Sequence, residues 1–375
     1  MKITSAVLDK LGAEQPYANS KPLSIAEVDL DRPQQGEVLV EVKAAGLCHS
    51  DLSVINGDRP RPTPMALGHE AAGVVAEVGP GVTDLVSGDH VVMVFVPSCG
   101  GCLPCAEGRP ALCEPGNAAN GRGVLVGGGH RLSRNGQPIN HHMGVSAFST
   151  HVVVSRRSLV KIEPAIPLEQ AALFGCAVLC GVGAVVNTAR IPAGASVAIV
   201  GLGGVGLSAL LGARLAGACQ IIAVDRLAEK LDFARQLGAT DAFNAGSQDC
   251  AEQIRQASGG GVEFAFEMAG SVAALELAYR ITRRGGTTVT AGLAHPEKKL
   301  ALQPVSLVAE ERTLKGSYVG SCVPQRDVPR FIALFRRGLL PVDRLVTGQL
   351  GFADLNAAFD RLAEGKAVRQ ILLPS

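Results

Sequence analysis

The sequence of 375 residues contains no tryptophan, and aromatic residues make up only 4% of it. This scarcity argues against a platform of aromatic side chains for stacking single-stranded bases. A large net charge is also missing, because 35 Lys and Arg residues balance 34 Asp and Glu residues to +1. Such a balance gives no electrostatic footprint for nucleic acid or an anionic membrane surface. We therefore expect neither partner.

A secretory signal and a membrane span are not expected either. The segment Met1–Pro16 is interrupted by charged residues and has no long apolar core. The uncharged stretch 191–213 is long enough for a span, but Pro192 and several glycines interrupt it. We expect a cytoplasmic chain, in which ten cysteines indicate metal binding or catalysis before disulfides.

The hydrophobic fraction of 47% excludes a mostly disordered chain, and the length predicts two domains. Up to residue 163, short apolar runs between Gly and Pro turns predict a β-rich domain. A helical, alanine-rich region is expected at 168–188. From Ser196 onward, strands alternate with helices, which predicts a parallel sheet. The expected strands there are Val197–Val200, Ile221–Val224, Glu263–Glu267 and Thr287–Thr290, and the helices are Gly204–Ala216, Glu229–Leu237, Ala273–Thr282, Val328–Arg337 and Asp354–Glu364.

A glycine-rich turn predicts a dinucleotide site. Gly201-Leu202-Gly203-Gly204-Val205-Gly206 matches G-x-G-x-x-G, follows a predicted strand and opens a predicted helix. The glycines permit a tight turn, close approach of a pyrophosphate and close packing of helix on strand. Asp225 ends the next strand, where a carboxylate binds ribose hydroxyls and repels a 2′-phosphate. NAD is favoured over NADP, although Arg226 weakens that preference.

Two groups of residues have the chemistry of metal ligands. Four cysteines in one loop, Cys99, Cys102, Cys105 and Cys113, form a set typical of a closed structural zinc site. Free thiols or two disulfides are the alternatives. A second, scattered set of Cys48, His69 and Cys176 offers three ligands and one open position, as in catalytic zinc sites. From the residues alone that grouping stays open, because lone cysteines and histidines also occur in cores.

The sequence resembles those of the zinc-dependent medium-chain alcohol dehydrogenases, in which such motifs occur in the same order. The resemblance is carried by the string Cys48-His49-Ser50-Asp51, the triplet Gly68-His69-Glu70, the four-cysteine loop, Gly175-Cys176 and the glycine-rich turn, and it covers nearly the whole chain. It implies an α/β fold. A GroES-like β-rich catalytic domain comprises residues 1–177 and 321–375, and a doubly wound parallel-sheet Rossmann domain that binds NAD comprises residues 178–320.

The resemblance also implies roles for individual residues. It implies that Cys48, His69 and Cys176 hold a catalytic zinc ion and that the four-cysteine loop holds a structural one. Asp51 is expected to orient His69, and Glu70 to lie behind the catalytic zinc. Ser50 is expected to hydrogen-bond the substrate oxygen. The implied cofactor contacts, besides the glycine-rich turn and Asp225, are His49, Val205, Lys230 and Arg369.

The implied reaction is reversible hydride transfer between a small-molecule alcohol and NAD. Zinc stabilises the negative oxygen, and the proton leaves through Ser50. In many family members a histidine at the position of Ser53 carries this proton further toward solvent. Family members also often have threonine at the position that is Cys180 in this chain. The stretch 114–142 is long, as in dimeric relatives, so we expect a homodimer.

The substrate is less defined. Phe95 is expected to form an aromatic wall of the pocket. His142 and Met143 stand where relatives usually carry an aromatic residue, which predicts a more polar pocket. We favour a primary aliphatic or aromatic alcohol. S-(hydroxymethyl)glutathione is the alternative substrate. The family branch that oxidises it typically has an arginine that holds the carboxylate of the adduct, and Asn117 stands at that position here. A catalytically silent cofactor-binding scaffold is a third possibility.

Overall fold

The computed structural model describes residues 1–374 of the chain. It divides into two units, of which the first comprises Met1–Cys176, Val323–Ala333 and the residues from Asp343 onward. The second comprises Ala177–Cys322 and Leu334–Val342. The sequence had placed this last segment in the catalytic domain, but its apolar side chains Leu340 and Val342 are fully buried, and it groups with the second unit.

Five strands of the first unit form a closed barrel. They are Lys2–Leu8, Leu23–Leu30, Leu132–Arg134, Gln137–His141 and Met65–Ala66. The first two pair antiparallel from Lys2 opposite Asp29 to Leu8 opposite Leu23. Alternate side chains point inward and form a core with Val7, Val28 and Leu30.

A seven-stranded sheet completes the β-rich part of this unit. Its order is Leu159–Ile162, His90–Met93, Ala71–Val78, Glu37–Gly46, Arg369–Leu372 and Val346–Leu350, and His151–Ser155 also pairs with Glu37–Gly46. The strand Glu37–Gly46 pairs with strands along both edges and is buried along most of its length. Its nearly continuous apolar run reflects that position.

The second unit is built on a six-stranded sheet in which every neighbouring pair is parallel. In spatial order the strands are Asp241–Asn244, Gln220–Asp225, Ser196–Val200, Val262–Glu267, Thr282–Thr290 and Thr313–Gly316. Numbered along the chain, this order is 3-2-1-4-5-6, which is that of the Rossmann fold. The predicted fold class is confirmed. The two outermost strands were not expected, because neither contains a buried residue or a long apolar run.

The helices connect these strands. The α-helices are Tyr17–Ser20, His49–Ile55, Leu103–Ala106, Glu114–Arg122, Leu168–Ala171, Ala177–Gly183, Gly204–Leu215, Ala228–Leu237, Cys250–Ala257, Val272–Ile281, Pro304–Ala309, Pro324–Arg336 and Leu355–Ala363. Short 3-10 helices lie at Pro110–Leu112, Arg156–Ser158, Ala172–Gly175, Val319–Ser321, Val342–Leu345 and Phe352–Asp354, and a π-helix at Ala184–Ala189. Side chains of Cys250–Ala257 and Val272–Ile281 pack on the Rossmann sheet around Ile222 and Val224.

Two segments depart from regular secondary structure. The helical region expected at 168–188 is interrupted at Cys176, where φ is −142° and ψ is −72°. Residues 144–148 form no strand, and Gly144 and Ser146 have φ of +69° and +57°, in the left-handed region. Within residues 1–374 no single helix is long and apolar enough to cross a membrane, although the bent pair 168–175 and 177–189 passes on length and composition.

The glycine-rich turn provides a test of this packing. A Cβ on Gly206 would lie 1.8 Å from the carbonyl oxygen of Gly201, whereas a Cβ on Gly203 would meet no atom within 4 Å. We expect Gly206→Ala to lower the free energy of unfolding by about 1–3 kcal/mol, as overpacking does. Gly203→Ala is the matched control, with an expected loss below about 1 kcal/mol. Thermal and urea unfolding followed by circular dichroism measures both, and equal losses would contradict the packing argument.

Candidate active site and metal centres

Strand pairing brings the scattered ligand set together. Glu37–Gly46 and Ala71–Val78 pair antiparallel up to Ala45 opposite Ala71. The chain that leaves the first strand reaches Cys48, and the chain that enters the second passes through His69 and Glu70. Both segments therefore emerge at the same end of the sheet.

The third member, Cys176, lies at the break between two helical segments. The preceding Gly175 lies against the sheet, where a Cβ would be 2.4 Å from the carbonyl oxygen of Met93. The ligand atoms of Cys48, His69 and Cys176 lie within 4.8 Å of one another, and all three residues are buried. The imidazole Nε2 of His69 is buried and has no hydrogen-bond partner within residues 1–374.

These properties fit zinc. A hydrogen bond from Cys176, together with His69 and the charge of Arg369, holds the pKa of the Cys48 thiol well below its usual range, although burial opposes this. A thiolate and a buried imidazole nitrogen without a partner are the donors that zinc prefers. Three protein ligands leave the fourth tetrahedral position for a substrate oxygen.

Asp51 fixes the orientation of His69. Its Oδ1 lies 3.1 Å from His69 Nδ1 and accepts a hydrogen bond of 3.1 Å from the Gly68 amide. Burial opposes ionisation of this carboxyl group, but His69 and His142 lower its pKa below the ordinary value. A carboxylate on one ring nitrogen leaves the other available to a metal. The orienting role of Asp51 stays a prediction, which this 3.1 Å contact supports.

Glu70 and Arg369 form a buried ion pair next to the ligands. Arg369 Nη1 lies 3.5 Å from Glu70 Oε2 and donates a hydrogen bond of 3.1 Å to the Leu47 carbonyl. Burial raises the pKa of Glu70 to about 7, while Arg369 acts in the opposite direction. The carboxylate lies over Gly46, where a Cβ would come within 2.3 Å of Glu70 Oε1. A pyrophosphate contact of Arg369 stays a prediction.

The start of the helix His49–Ile55 carries the expected substrate and cofactor contacts. Ser50 Oγ lies 3.9 Å from Cys48 Sγ, so its hydroxyl is next to the ligand set. His49 is exposed. Ser53 Oγ donates a hydrogen bond of 2.8 Å to the His49 carbonyl and is therefore tied to the backbone. The helix has no imidazole at position 53 to extend a proton relay from Ser50.

The expected pocket residues lie around the imidazole of His69. The rings of Phe95 and His142 meet it edge to face, with centroids at 5.2 and 5.5 Å. His142 Nδ1 lies 3.1 Å from Asp51 Oδ1, and burial lowers the pKa of His142. Met143 is half-buried next to it. A polar ring therefore lies beside the His69 imidazole on this side of the ligand set.

Sequence reasoning missed two residues in this neighbourhood. Arg61 donates from Nη1 to the Asn120 carbonyl at 3.3 Å, and Asn120 Nδ2 donates to the Phe95 carbonyl at 3.4 Å. Arg61 lies in an irregular Pro-rich loop, and Asn120 lies within the helix Glu114–Arg122. Neither belongs to a motif. The only signal in the sequence is a cation between two prolines, which does not specify a role.

The four-cysteine loop forms the second cluster. The four sulfur atoms lie within 4.8 Å of one another, and none of the ten cysteines forms a disulfide. Amides of Gly101 and Cys102 donate to Cys99 Sγ, and these bonds lower the pKa of Cys99 to about 6. Amides of Cys99 and Gly116 donate to Cys113 Sγ at 3.1 and 3.3 Å. These four sulfur ligands fit a structural site for one zinc ion, with tetrahedral coordination and no open position.

The glycine-rich turn of the second unit has the shape of a phosphate site. Gly201 has φ of +95°, and Gly203 caps the helix Gly204–Leu215 with open space at its Cα. Asp225 Oδ2 accepts a hydrogen bond of 2.7 Å from the Leu202 amide, which fixes the carboxylate beside the turn. Val205, within the same turn, and Lys230, in Ala228–Leu237, are half-buried. Free amides at a helix N-terminus bind phosphate groups.

Comparisons with known proteins agree with this architecture. The family described as "Alcohol dehydrogenase GroES-like domain" matches residues 34–164, and that described as "Zinc-binding dehydrogenase" matches residues 204–337. An S-(hydroxymethyl)glutathione dehydrogenase from Synechocystis is 40% identical over 99% of this chain and 100% of its own length. A zinc-binding alcohol dehydrogenase domain protein from Burkholderia ambifaria superposes with a TM-score of 0.94 at 36% identity, covering 100% of this chain and 99% of the other. Benzyl alcohol dehydrogenase from Acinetobacter calcoaceticus superposes with a TM-score of 0.93 at 32% identity and full coverage of both chains.

Metal analysis can separate the two clusters. We expect two zinc ions per wild-type chain, because each cluster supplies a complete ligand set. Cys48→Ser is expected to lose one ion with little loss of stability. Cys105→Ser is expected to lose the other ion and to unfold at a lower temperature, because a structural zinc contributes to folding.

Cys219→Ser is the control, since Cys219 is exposed and outside both clusters. Zinc is measured by mass spectrometry of the dialysed protein and stability by thermal unfolding. Retention of both ions by either ligand variant would show that the ligand sets are wrongly assigned.

Proposed function

The chain belongs to the zinc-dependent medium-chain alcohol dehydrogenase family, and from this membership we propose that it oxidises the primary hydroxyl group of S-(hydroxymethyl)glutathione with NAD. The observation that carries the chemistry is the buried set Cys48, His69 and Cys176, with one imidazole nitrogen free for a metal. The choice of substrate is supported by relatives of that name, which are similar over the whole chain. The intact ligand sets count against a silent scaffold.

The residues of the site have different roles in the proposed reaction. Bound zinc supplies Lewis-acid stabilisation of a negative substrate oxygen. Asp51 holds the His69 ring in the orientation that presents Nε2 to the metal. Ser50, next to Cys48, accepts the hydrogen bond of the substrate hydroxyl and passes its proton on. Since Ser53 is tied to the backbone, the proton then leaves through water or the cofactor ribose.

The cofactor preference follows from Asp225. Its carboxylate is fixed at the end of its strand by the amides of Leu202, Arg226 and Leu227. A fixed negative charge at this position accepts hydrogen bonds from ribose hydroxyls and repels a 2′-phosphate. We therefore propose NAD in place of NADP. None of the ten cysteines forms a disulfide, which supports a reducing compartment, so the cytoplasm stays the proposed location.

A second candidate substrate is a simple aromatic alcohol. It is favoured by the superposition on a benzyl alcohol dehydrogenase and by Phe95 beside the metal ligands. Asn117 also favours it, because this residue is exposed and carries no charge for a carboxylate. Recognition of the glutathione adduct therefore requires a cation from another part of the site.

Cofactor reduction by the zinc-loaded protein tests these proposals. We expect NADH to form with formaldehyde plus glutathione, little with formaldehyde alone, and little NADPH when NADP replaces NAD. Oxidation of benzyl alcohol with no response to glutathione would support the second candidate. Absence of turnover with every substrate, in protein that holds both zinc ions, would overturn the family-based proposal.

We further propose that the protein is a homodimer. The strand Thr313–Gly316 is a largely exposed edge of the Rossmann sheet, and exposed edges favour pairing with another strand. Close to it in sequence, Val305 and Val308 on a short helix are 67% and 80% exposed. Exposed apolar side chains so close in sequence to an open sheet edge fit contact with a second copy of the chain.

Substitution of one valine tests the dimer. We expect Val308→Asp to shift the molar mass toward that of a single chain, because it buries a charge in the proposed interface. Val86→Asp is the control, since Val86 is similarly exposed, at 62%, in the other unit. Light scattering coupled to gel filtration measures both variants. A wild-type monomer, or a mass unaffected by Val308→Asp, would contradict the proposed interface.

A further inference from the structure

A chain of polar contacts leads away from the metal ligands on the Phe95 side. Phe95 contacts His69 edge to face, and its carbonyl accepts a hydrogen bond from Asn120 Nδ2 at 3.4 Å. The Asn120 carbonyl in turn accepts one from Arg61 Nη1 at 3.3 Å. The guanidinium group of Arg61 is thus connected through Asn120 to Phe95, which contacts the expected zinc ligand His69.

Two acceptors in this neighbourhood are buried and lack partners. Asn120 Oδ1 and His142 Nε2 are both inaccessible to water and make no hydrogen bond within residues 1–374. The whole side chain of His142 is buried, and its other ring nitrogen faces Asp51 at 3.1 Å. Buried polar atoms are nearly always paired, so atoms left unpaired beside a reactive centre point to a ligand that supplies donors.

Arg61 adds a charge with no counter-ion. The structure shows no ion pair for its guanidinium within residues 1–374, and its only hydrogen bond there is to the Asn120 carbonyl. The side chain is half-buried. A fixed, partly desolvated guanidinium is the group that proteins use for carboxylates.

We propose that Arg61, Asn120 and His142 form a subsite for a peptide-like arm of the substrate. Arg61 binds a carboxylate of that arm, and the acceptors on Asn120 and His142 receive its N–H groups. This inference rests on the proposed function and deepens it, because the glutathione portion of the adduct carries both carboxylates and amide N–H groups. Simple aromatic alcohols lack this arm and have no carboxylate for Arg61.

The kinetic test compares substrates with and without the arm. We expect Arg61→Gln to raise the KM for S-(hydroxymethyl)glutathione ~10- to 100-fold more than the KM for benzyl alcohol, the loss expected for one charge-assisted bond. Arg61→Lys keeps the cation and should recover part of the loss. The adduct of the glutathione diethyl ester, which lacks the carboxylates, should be a poor substrate whose KM is the same for wild type and Arg61→Gln.

Two controls address stability and metal content. Arg32→Gln removes an exposed arginine of the same unit and should change none of these constants. Zinc content and thermal unfolding of each variant show whether a kinetic change reflects a damaged site. His142→Phe should raise the KM for the adduct, because the ring then offers no acceptor, while the zinc content stays at two ions.

Binding of an unreactive ligand separates the subsite from the proposed function. S-methylglutathione has the peptide arm but no hydroxyl group to oxidise, and isothermal titration measures its affinity. Weaker binding by Arg61→Gln than by wild type, even if wild type oxidises no adduct, supports the subsite while the proposed function fails. Turnover of the adduct by wild type, with KM and S-methylglutathione affinity within twofold for Arg61→Gln, overturns the subsite and leaves the proposed function intact.

Discussion

The antiparallel pairing of Glu37–Gly46 with Ala71–Val78 is the constraint on which the catalytic site depends. The ligands Cys48 and His69 are far apart in sequence, and neither lies on a regular element that would bring it to the other. The register that sets Ala45 opposite Ala71 determines their approach. A register shift of one residue would turn alternate side chains to the other face and separate the ligands.

The environment of the ligands is set by charges removed from water. A thiolate, two carboxylates, a guanidinium and two imidazoles lie within one buried region. Isolated buried charges are strongly destabilising, and they persist only in compensating pairs or on a metal. Asp51 with His69 and Glu70 with Arg369 are such pairs. The remaining negative charge of the cysteines is the charge that a divalent ion balances.

Much of this arrangement could be predicted from the sequence. The glycine-rich turn and the dense cysteine loop are local motifs, so spacing alone identifies their chemistry. The scattered ligands needed a resemblance, because nothing in the residues states that Cys48 meets Cys176. The alanine-rich sequence predicted the helical region 168–188, but it did not indicate the break at Cys176, because local helix preference does not include tertiary contacts. Arg61 and Asn120 were missed because a loop cation and a helix amide acquire meaning only through their neighbours.

Gly46 illustrates a further consequence of burying a carboxylate behind a metal. Its backbone dihedral angles suit any residue, yet a methyl group there would overlap Glu70 Oε1. Position 46 is therefore constrained indirectly by electrostatics. Because Gly46 has no side chain, there is room for the Glu70 carboxylate, which forms an ion pair with Arg369. A substitution scan that scores only conformational preference would classify Gly46 as tolerant. A library that varies this strand should treat Gly46, Glu70 and Arg369 as one unit.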